Sequence, residues 1–303
     1  MQAIMIEGKK TAEKTLASLR ERVSPQFYPF IDFSSPLCRP PSLHIILVGE
    51  NSSSQIYVQR KLQVAKECGV QTRLHQFDSD VNHATILEKI QTLSADNQVD
   101  AILLQMPLPP HLNSQDLIDT IHPEKDVDGL TSMQLGKLAS NHPSATIACT
   151  PLGIWAMLQD AQITLENKEV VIIGRSRIVG RPLELLFSSP RVNANVTILH
   201  SKSAQNLENF KTITRRADVL ILAAGQKEFF GKDFIKDRAC VIDVGIHTTQ
   251  KNSLGPKHLV GDGQRHSLQQ KASFLSPVPG GVGPMTVASL MYNCWKLKLS
   301  PRG

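Results

Sequence analysis

The chain is short of the features that mark several protein classes. Its five cysteines, Cys38, Cys68, Cys149, Cys240 and Cys294, are scattered, and no two stand as Cys-x-x-Cys. That argues against a disulfide framework or a zinc ribbon and fits a reducing, cytoplasmic setting. No apolar run approaches the roughly 20 residues that a membrane-crossing helix needs, so no membrane partner is expected. Residues 1–10 carry no early positive charge ahead of a long apolar stretch, so no secretory signal is expected either. The ten histidines include no His-Glu-x-x-His or other metal spacing, and no metal is expected. Only three tyrosines and two tryptophans are present, and the basic residues are dispersed. Nucleic-acid binding needs a concentrated basic patch and is therefore not expected. The net charge of +6 and pI near 9.1 leave room for anionic small-molecule ligands.

What is present is an ordinary globular composition, 41% hydrophobic and 20% charged, over 303 residues. That length carries two domains and a substantial core. Ala12, Leu16, Leu19 and Val23 recur at helical spacing in residues 9–23, followed by a Pro-, Ser- and Phe-rich excursion to residue 41. Residues 43–49 then read as a buried strand ending in Gly49, with Ser52, Ser53 or Ser54 able to cap the helix that follows and Gly69 to stop it. A strand over 72–77, a helix over 82–93 and a buried strand over 101–105 complete a β-α-β-α-β rhythm, with a short helix near 115–121 beyond it. This rhythm predicts a parallel sheet with ligands beyond the carboxyl ends of its strands.

A second unit begins near Thr150-Pro151 with a helix over 151–160. Its strands are expected at 170–174, 196–200, 218–225 and 239–245, and an apolar helix over 286–297 is expected to dock back onto the first domain. The fold class is thus α/β, two α/β domains with a cleft between them, the second a Rossmann-like dinucleotide-binding domain. The division is 1–149 plus 284–303 against 150–283. The turn from Gly174 through Arg175 and Ser176 to Gly180 lacks the Gly-x-Gly-x-x-Gly pattern, since Ser176 stands at its second glycine. Its context, strand before and helix after, still suits a phosphate at a helix N-terminus. After the next strand the chain reads His200-Ser201-Lys202, with no acid for a ribose 2′-hydroxyl. Arg175, Ser201 and Lys202 offer donors to a 2′-phosphate instead, so NADP is expected over NAD.

Two further motifs stand out. Tyr57-Val58-Gln59-Arg60-Lys61 puts Tyr57 and Lys61 on one helix face; alone, such a pair is common on surface helices. The run Ser276-Pro277-Val278-Pro279-Gly280-Gly281-Val282-Gly283-Pro284-Met285-Thr286 is far rarer. Together with Leu104-Gln105-Met106-Pro107, Lys125-Asp126-Val127-Asp128-Gly129, Cys149-Thr150-Pro151, the Gly174 turn and Asp243-Val244-Gly245-Ile246, they make residues 42–293 resemble the bifunctional methylenetetrahydrofolate dehydrogenase/cyclohydrolase family.

The resemblance implies NADP-dependent oxidation of 5,10-methylenetetrahydrofolate to the methenyl form, then hydrolysis to 10-formyltetrahydrofolate, in a homodimer. It implies that Lys61 relays a proton, Gln105 holds that lysine, Tyr57 shapes the folate site and Asp128 anchors the pterin. Leu104, Met106, Pro279, Gly280, Gly281, Val282 and Gly283 would line the folate, and Gly174, Arg175, Ser176, Gly180, His200, Ser201 and Ile246 the cofactor. Asp126 is expected to be a turn acid, and Cys149 a small buried group. The chain departs from the family pattern at Met106, Gln134, Ala148, Arg177, at His247 in place of the usual asparagine, and after Asp262-Gly263, which lacks a valine. Other readings are a dehydrogenase with weak hydrolysis, a silent nucleotide-binding protein and an unrelated NADP dehydrogenase. The retained Lys61 and Asp128 argue against the silent protein, and the 279–283 loop against the unrelated dehydrogenase.

Overall fold

The computed structural model describes residues 3–29, 31–34, 39–250 and 257–300. The chain runs β1 (Ile4–Met5), α1 (Gly8–Arg20), β2 (Ser42–Val48), α2 (Ser52–Glu67), β3 (Gln71–Phe77), α3 (His83–Ala95), β4 (Ala101–Leu104), α4 (Ser114–Thr120) and α5 (Ser132–Ala139). It continues through α6 (Cys149–Asp160), β5 (Glu169–Ile173), α7 (Gly180–Phe187), β6 (Asn195–Leu199), α8 (Leu207–Thr214), β7 (Val219–Leu222) and β8 (Cys240–Asp243). It ends with β9 (His247–Gln250), β10 (Lys257–Val260), α9 (Arg265–Gln269), β11 (Phe274–Leu275) and α10 (Val282–Leu299).

These elements form two compact units: Met1–Ala12 with Thr150–Thr286, and Glu13–Cys149 with Val287–Gly303. The sequence reading grouped residues 1–12 with the first domain. They fall in the other unit because β1 adds a parallel edge strand to β11, Ile4 opposite Phe274 and Met5 opposite Leu275. A two-residue strand has no periodicity to betray it.

The unit of residues 13–149 and 287–300 holds a parallel three-stranded sheet in the order β3-β2-β4. Central β2 is apolar almost throughout because both its faces are covered. Ile86, Ile90 and Leu93, one stripe of α3, pack against Ile46, Val48, Ile102 and Leu104. The cap of α2 is not one of the serines. Asn51 lies one residue earlier and accepts Ser54 N at 3.0 Å on Oδ1, which leaves Ser52–Ser54 as the first turn. Gly69 ends the helix at φ +67°, as expected of a left-handed terminator. Helix α1 closes at Arg20 rather than Val23, and Val23 is 54% exposed.

The other unit holds a six-stranded sheet in the order β1-β11-β8-β7-β5-β6, parallel throughout. From β5 the chain moves outward to β6 and then crosses back to β7, so the order reverses between β5 and β7. In an open parallel sheet that reversal places a crevice outside the carboxyl ends of those strands. Phe210, Phe230, Phe234 and Leu268 cover one face with Val171, Leu220 and Val241. Helix α7 starts at Gly180, and α10 starts at Val282, four residues before the position expected. The hairpin β9–β10 and helices α5, α8 and α9 are too short or too polar to stand out in the sequence.

Candidate functional site

In the unit of residues 13–149 and 287–300, α2 carries Tyr57 and Lys61 one turn apart, and Gln105 follows β4 at its carboxyl end. Gln105 N donates to Ile46 O at 2.9 Å, which keeps the residue in line with the sheet. Its side chain then has fixed partners: Lys61 Nζ donates to Oε1 at 2.8 Å, and Nε2 donates to Met106 O at 2.6 Å. Burial holds the Lys61 amine below the ordinary lysine range, and the nearby carboxylate of Asp128 opposes that shift. Leu104 is buried, Met106 half-buried and Tyr57 exposed beside this group. The Met106–Pro107 bond is cis.

Asp126 has the turn role expected of it. Asp126 is buried and accepts Gly129 N at 2.9 Å and Thr131 N at 2.8 Å, so it shapes the turn. Burial raises its pKa to about 6, against those two amide bonds. Gly129 sits at φ +64°, and a Cβ there would lie 2.5 Å from Thr146 O, so the turn needs glycine. Asp128 is left half-buried and facing the Lys61 amine electrostatically. The Cys149 thiol is pushed well up by burial first, then by Asp128; it is no nucleophile. Asn293 on α10, which the sequence reading missed, donates to Val127 O at 2.9 Å and Ile147 O at 3.1 Å. It thereby fixes the peptide that precedes Asp128. Gln134, one of the departures, is buried and bridges Pro123 O and Thr146 N.

In the other unit the crevice is shaped by backbone. Gly174 follows β5 at φ +128°, and a Cβ on it would stand 2.1 Å from Ala223 O, which follows β7. The walls of the crevice thus meet at a residue without a side chain. A Cβ on Gly180 would stand 2.1 Å from Gly174 O. Ser176 Oγ accepts Val179 N at 3.1 Å and closes the turn. Helix α7 begins without a side-chain cap; Arg181 N donates to Ser176 O at 3.0 Å, so the turn is closed by backbone at the helix N-terminus. Arg175 and Ser201 are exposed, and His200 is half-buried with its Nδ1 sealed off and unpartnered. Ile246 is 45% exposed after β8.

The loop of residues 279–283 belongs to this unit too. Lys9 N donates to Gly280 O at 2.9 Å, and a Cβ on Gly8 would meet Gly281 O at 2.1 Å. The start of α1 is therefore an abutment for that loop, a contact between residues too distant in sequence to foresee. Gly280 sits at φ +102° and the Val278–Pro279 bond is cis. Among the described residues no cluster of His, Cys, Asp and Glu could hold a metal ion, and no helix is long and apolar enough to cross a membrane.

A parallel α/β sheet with a glycine-walled crevice at its reversal, joined in one chain to a second α/β unit bearing a desolvated lysine, defines a two-domain dinucleotide-dependent enzyme. Comparison with known proteins gives the particular one. Residues 6–128 match the catalytic domain of tetrahydrofolate dehydrogenase/cyclohydrolase and residues 148–300 its NAD(P)-binding domain. The chain is 40% identical to the bifunctional protein FolD of Thermodesulfovibrio yellowstonii over 303 residues, 100% of this chain and 99% of that protein. Its fold matches the Campylobacter jejuni FolD crystal structure with TM-score 0.86 at 34% identity, covering 98% of each chain. It matches the Trypanosoma brucei enzyme, complexed with NADP cofactor and inhibitor, with TM-score 0.87 at 30% identity, again covering 98% of each. The chain belongs to the tetrahydrofolate dehydrogenase/cyclohydrolase family.

Proposed function

We propose that the chain oxidises 5,10-methylenetetrahydrofolate to 5,10-methenyltetrahydrofolate with NADP and hydrolyses the product to 10-formyltetrahydrofolate. The observation that carries this reading is the Lys61 Nζ–Gln105 Oε1 bond of 2.8 Å at an amine whose pKa burial has lowered. A lysine whose amine burial makes easier to deprotonate can take the proton of a water attacking the methenyl carbon and return a proton to the folate nitrogen as the carbon–nitrogen bond opens. Gln105, itself anchored on Met106 O, aims that amine. Asp128 has the chemistry to anchor the pterin, because a carboxylate accepts two parallel N–H bonds from an amino-pyrimidine edge. Tyr57, Leu104 and Met106 line the folate on the same unit as Lys61.

NADP, when bound, accepts the hydride. The donor set fits it: Gly174 and Gly180 leave a cradle that a Cβ would fill, and Arg175, Ser201 and Lys202 supply donors where an acid would favour NAD. We also place the protein in the cytoplasm, supported by four free, buried cysteines, and as a homodimer, supported by the family likeness. The test is a pair of assays on purified protein. One follows methenyl formation from 5,10-methylenetetrahydrofolate with NADP and with NAD; the other follows loss of methenyltetrahydrofolate without nicotinamide. Activity in both, with NADP preferred, is expected. A folded protein silent in both would overturn the reading, and a strong NAD preference would overturn the cofactor assignment.

A further inference from the structure

Asp262 is fully buried, and its carboxylate takes three donors from two parts of the chain. Oδ2 accepts Ala224 N at 2.7 Å and Gly225 N at 2.9 Å, the two amides of the turn that follows β7. Oδ1 accepts His247 Nε2 at 2.8 Å. His247 opens β9 at the root of the hairpin, opposite Val260, and directly follows Ile246. The carboxylate is also wedged against the segment after β8: a Cβ on Gly245 would stand 2.3 Å from Asp262 Oδ1. Behind it, Asp243 accepts Gly245 N and Asp262 N at 3.0 Å on Oδ1 and Gly263 N at 2.8 Å on Oδ2. One buried carboxylate therefore ties the turn after β7 to the segment after β8, and both face the crevice.

We propose that His247 is a positioning residue for the dinucleotide. Its Nε2–H fixes the rotation of the Asp262 carboxylate, so that the opposite oxygen collars the Ala224 and Gly225 amides and holds that wall of the crevice at the spacing the cofactor requires. An asparagine here is a bond shorter than the distance to imidazole Nε2 and cannot reach Asp262 from the same backbone. The histidine is thus a feature of this chain's own cofactor site. The inference rests on reading this unit as the NADP site.

The test uses the full chain carrying His247→Ala or His247→Gln, whose Nε2 can stand where the imidazole Nε2 stands. NADPH affinity is measured by fluorescence titration, alongside KM and kcat for NADP, methenyl hydrolysis without nicotinamide, and Tm. His247→Ala should weaken NADPH binding and raise KM for NADP about tenfold, the worth of one lost hydrogen bond. Hydrolysis should be unchanged, and His247→Gln should recover most of the affinity. If His247→Ala fails to fold, His247→Asn takes its place beside His247→Gln. Unchanged affinity in the shortened variant, no recovery with glutamine, or parallel loss of hydrolysis and Tm would overturn the proposal. A wild-type protein that binds neither NADPH nor NADH would instead remove the cofactor reading on which it stands.

Discussion

On the proposed function, the two units are built to hold their ligands by opposite means. Around Lys61 the working groups are side chains: an amine, an amide and a carboxylate, placed by α2, β4 and the loop after Pro123. At the crevice of the six-stranded sheet the shape is set by main chain: Gly174 and Gly180, which carry no Cβ, let the turn after β5 close against Ala223 and against itself. The difference follows from the task. A proton must be moved at one atom, so its pKa has to be tuned by burial and neighbours. A dinucleotide phosphate needs many fixed donors at close range, which glycine backbone supplies. Substitution should therefore damage the first site by removing a side chain and the second by adding one.

The sharpest test of that contrast is Lys61→Met. Methenyl hydrolysis should fall by roughly 10²–10⁴, the usual worth of a general acid–base group, while NADPH titrates as in the wild type; a rate near wild type would strip Lys61 of its role. Next in size is Gly174→Ala, which adds a single carbon 2.1 Å from Ala223 O at φ +128°. It should weaken NADPH binding by about 100-fold and leave hydrolysis without nicotinamide intact. Equal loss of both would mean that the glycine serves the fold rather than the cofactor.

Gln105→Leu should cost about tenfold in hydrolysis, the value of one hydrogen bond to a charged group. It should also move the rising limb of the pH–rate profile to lower pH, because the lost acceptor favoured the protonated amine. A limb moving upward would contradict the geometry. The smallest effect is on stability. The folded protein holds Lys61 below the unfolded lysine range. In the window between the two pKa values the folded chain binds fewer protons, and stability falls as pH is lowered. Lys61→Met removes that cost, so its Tm at pH 7 should exceed the wild type by roughly 2 °C, with the gap closing as pH rises toward that of free lysine.

The same contrast governs what the sequence discloses. Buried strands such as Leu43–Val48 and Val170–Ile173, with the glycines that follow them, are written in local composition. Lys61, Gln105 and Asp128 are not; they are singled out by the family resemblance of the segments that carry them, since a lysine, a glutamine or an aspartate alone has no local signal. The return of the last helix to the first domain was also foreseen, but individual contacts over distance were not. The β1 strand is two residues long and meets β11 some 270 positions away. Asn293 reaches Val127 and Ile147 from the last helix. Asp262 joins Ala224 to His247, and neither end carries a local signal. The cap of α2 was misplaced for a simpler reason: three serines masked the asparagine before them.

The placement of β1 also sets how the chain can be divided. The backbone passes from one unit to the other three times, after Ala12, Cys149 and Thr286. A single cut near residue 149 would leave the first fragment without α10, with its Asn293 support for the Asp128 turn. The second fragment would lack the β1 strand that edges its sheet and the Gly8 abutment of its 279–283 loop. The two halves are thus not separable modules laid end to end. Each carries its own sheet, but each is finished by a piece of chain from beyond the other: residues 1–12 edge one sheet, and the helix after Thr286 braces the other unit, so neither can be excised as one continuous stretch.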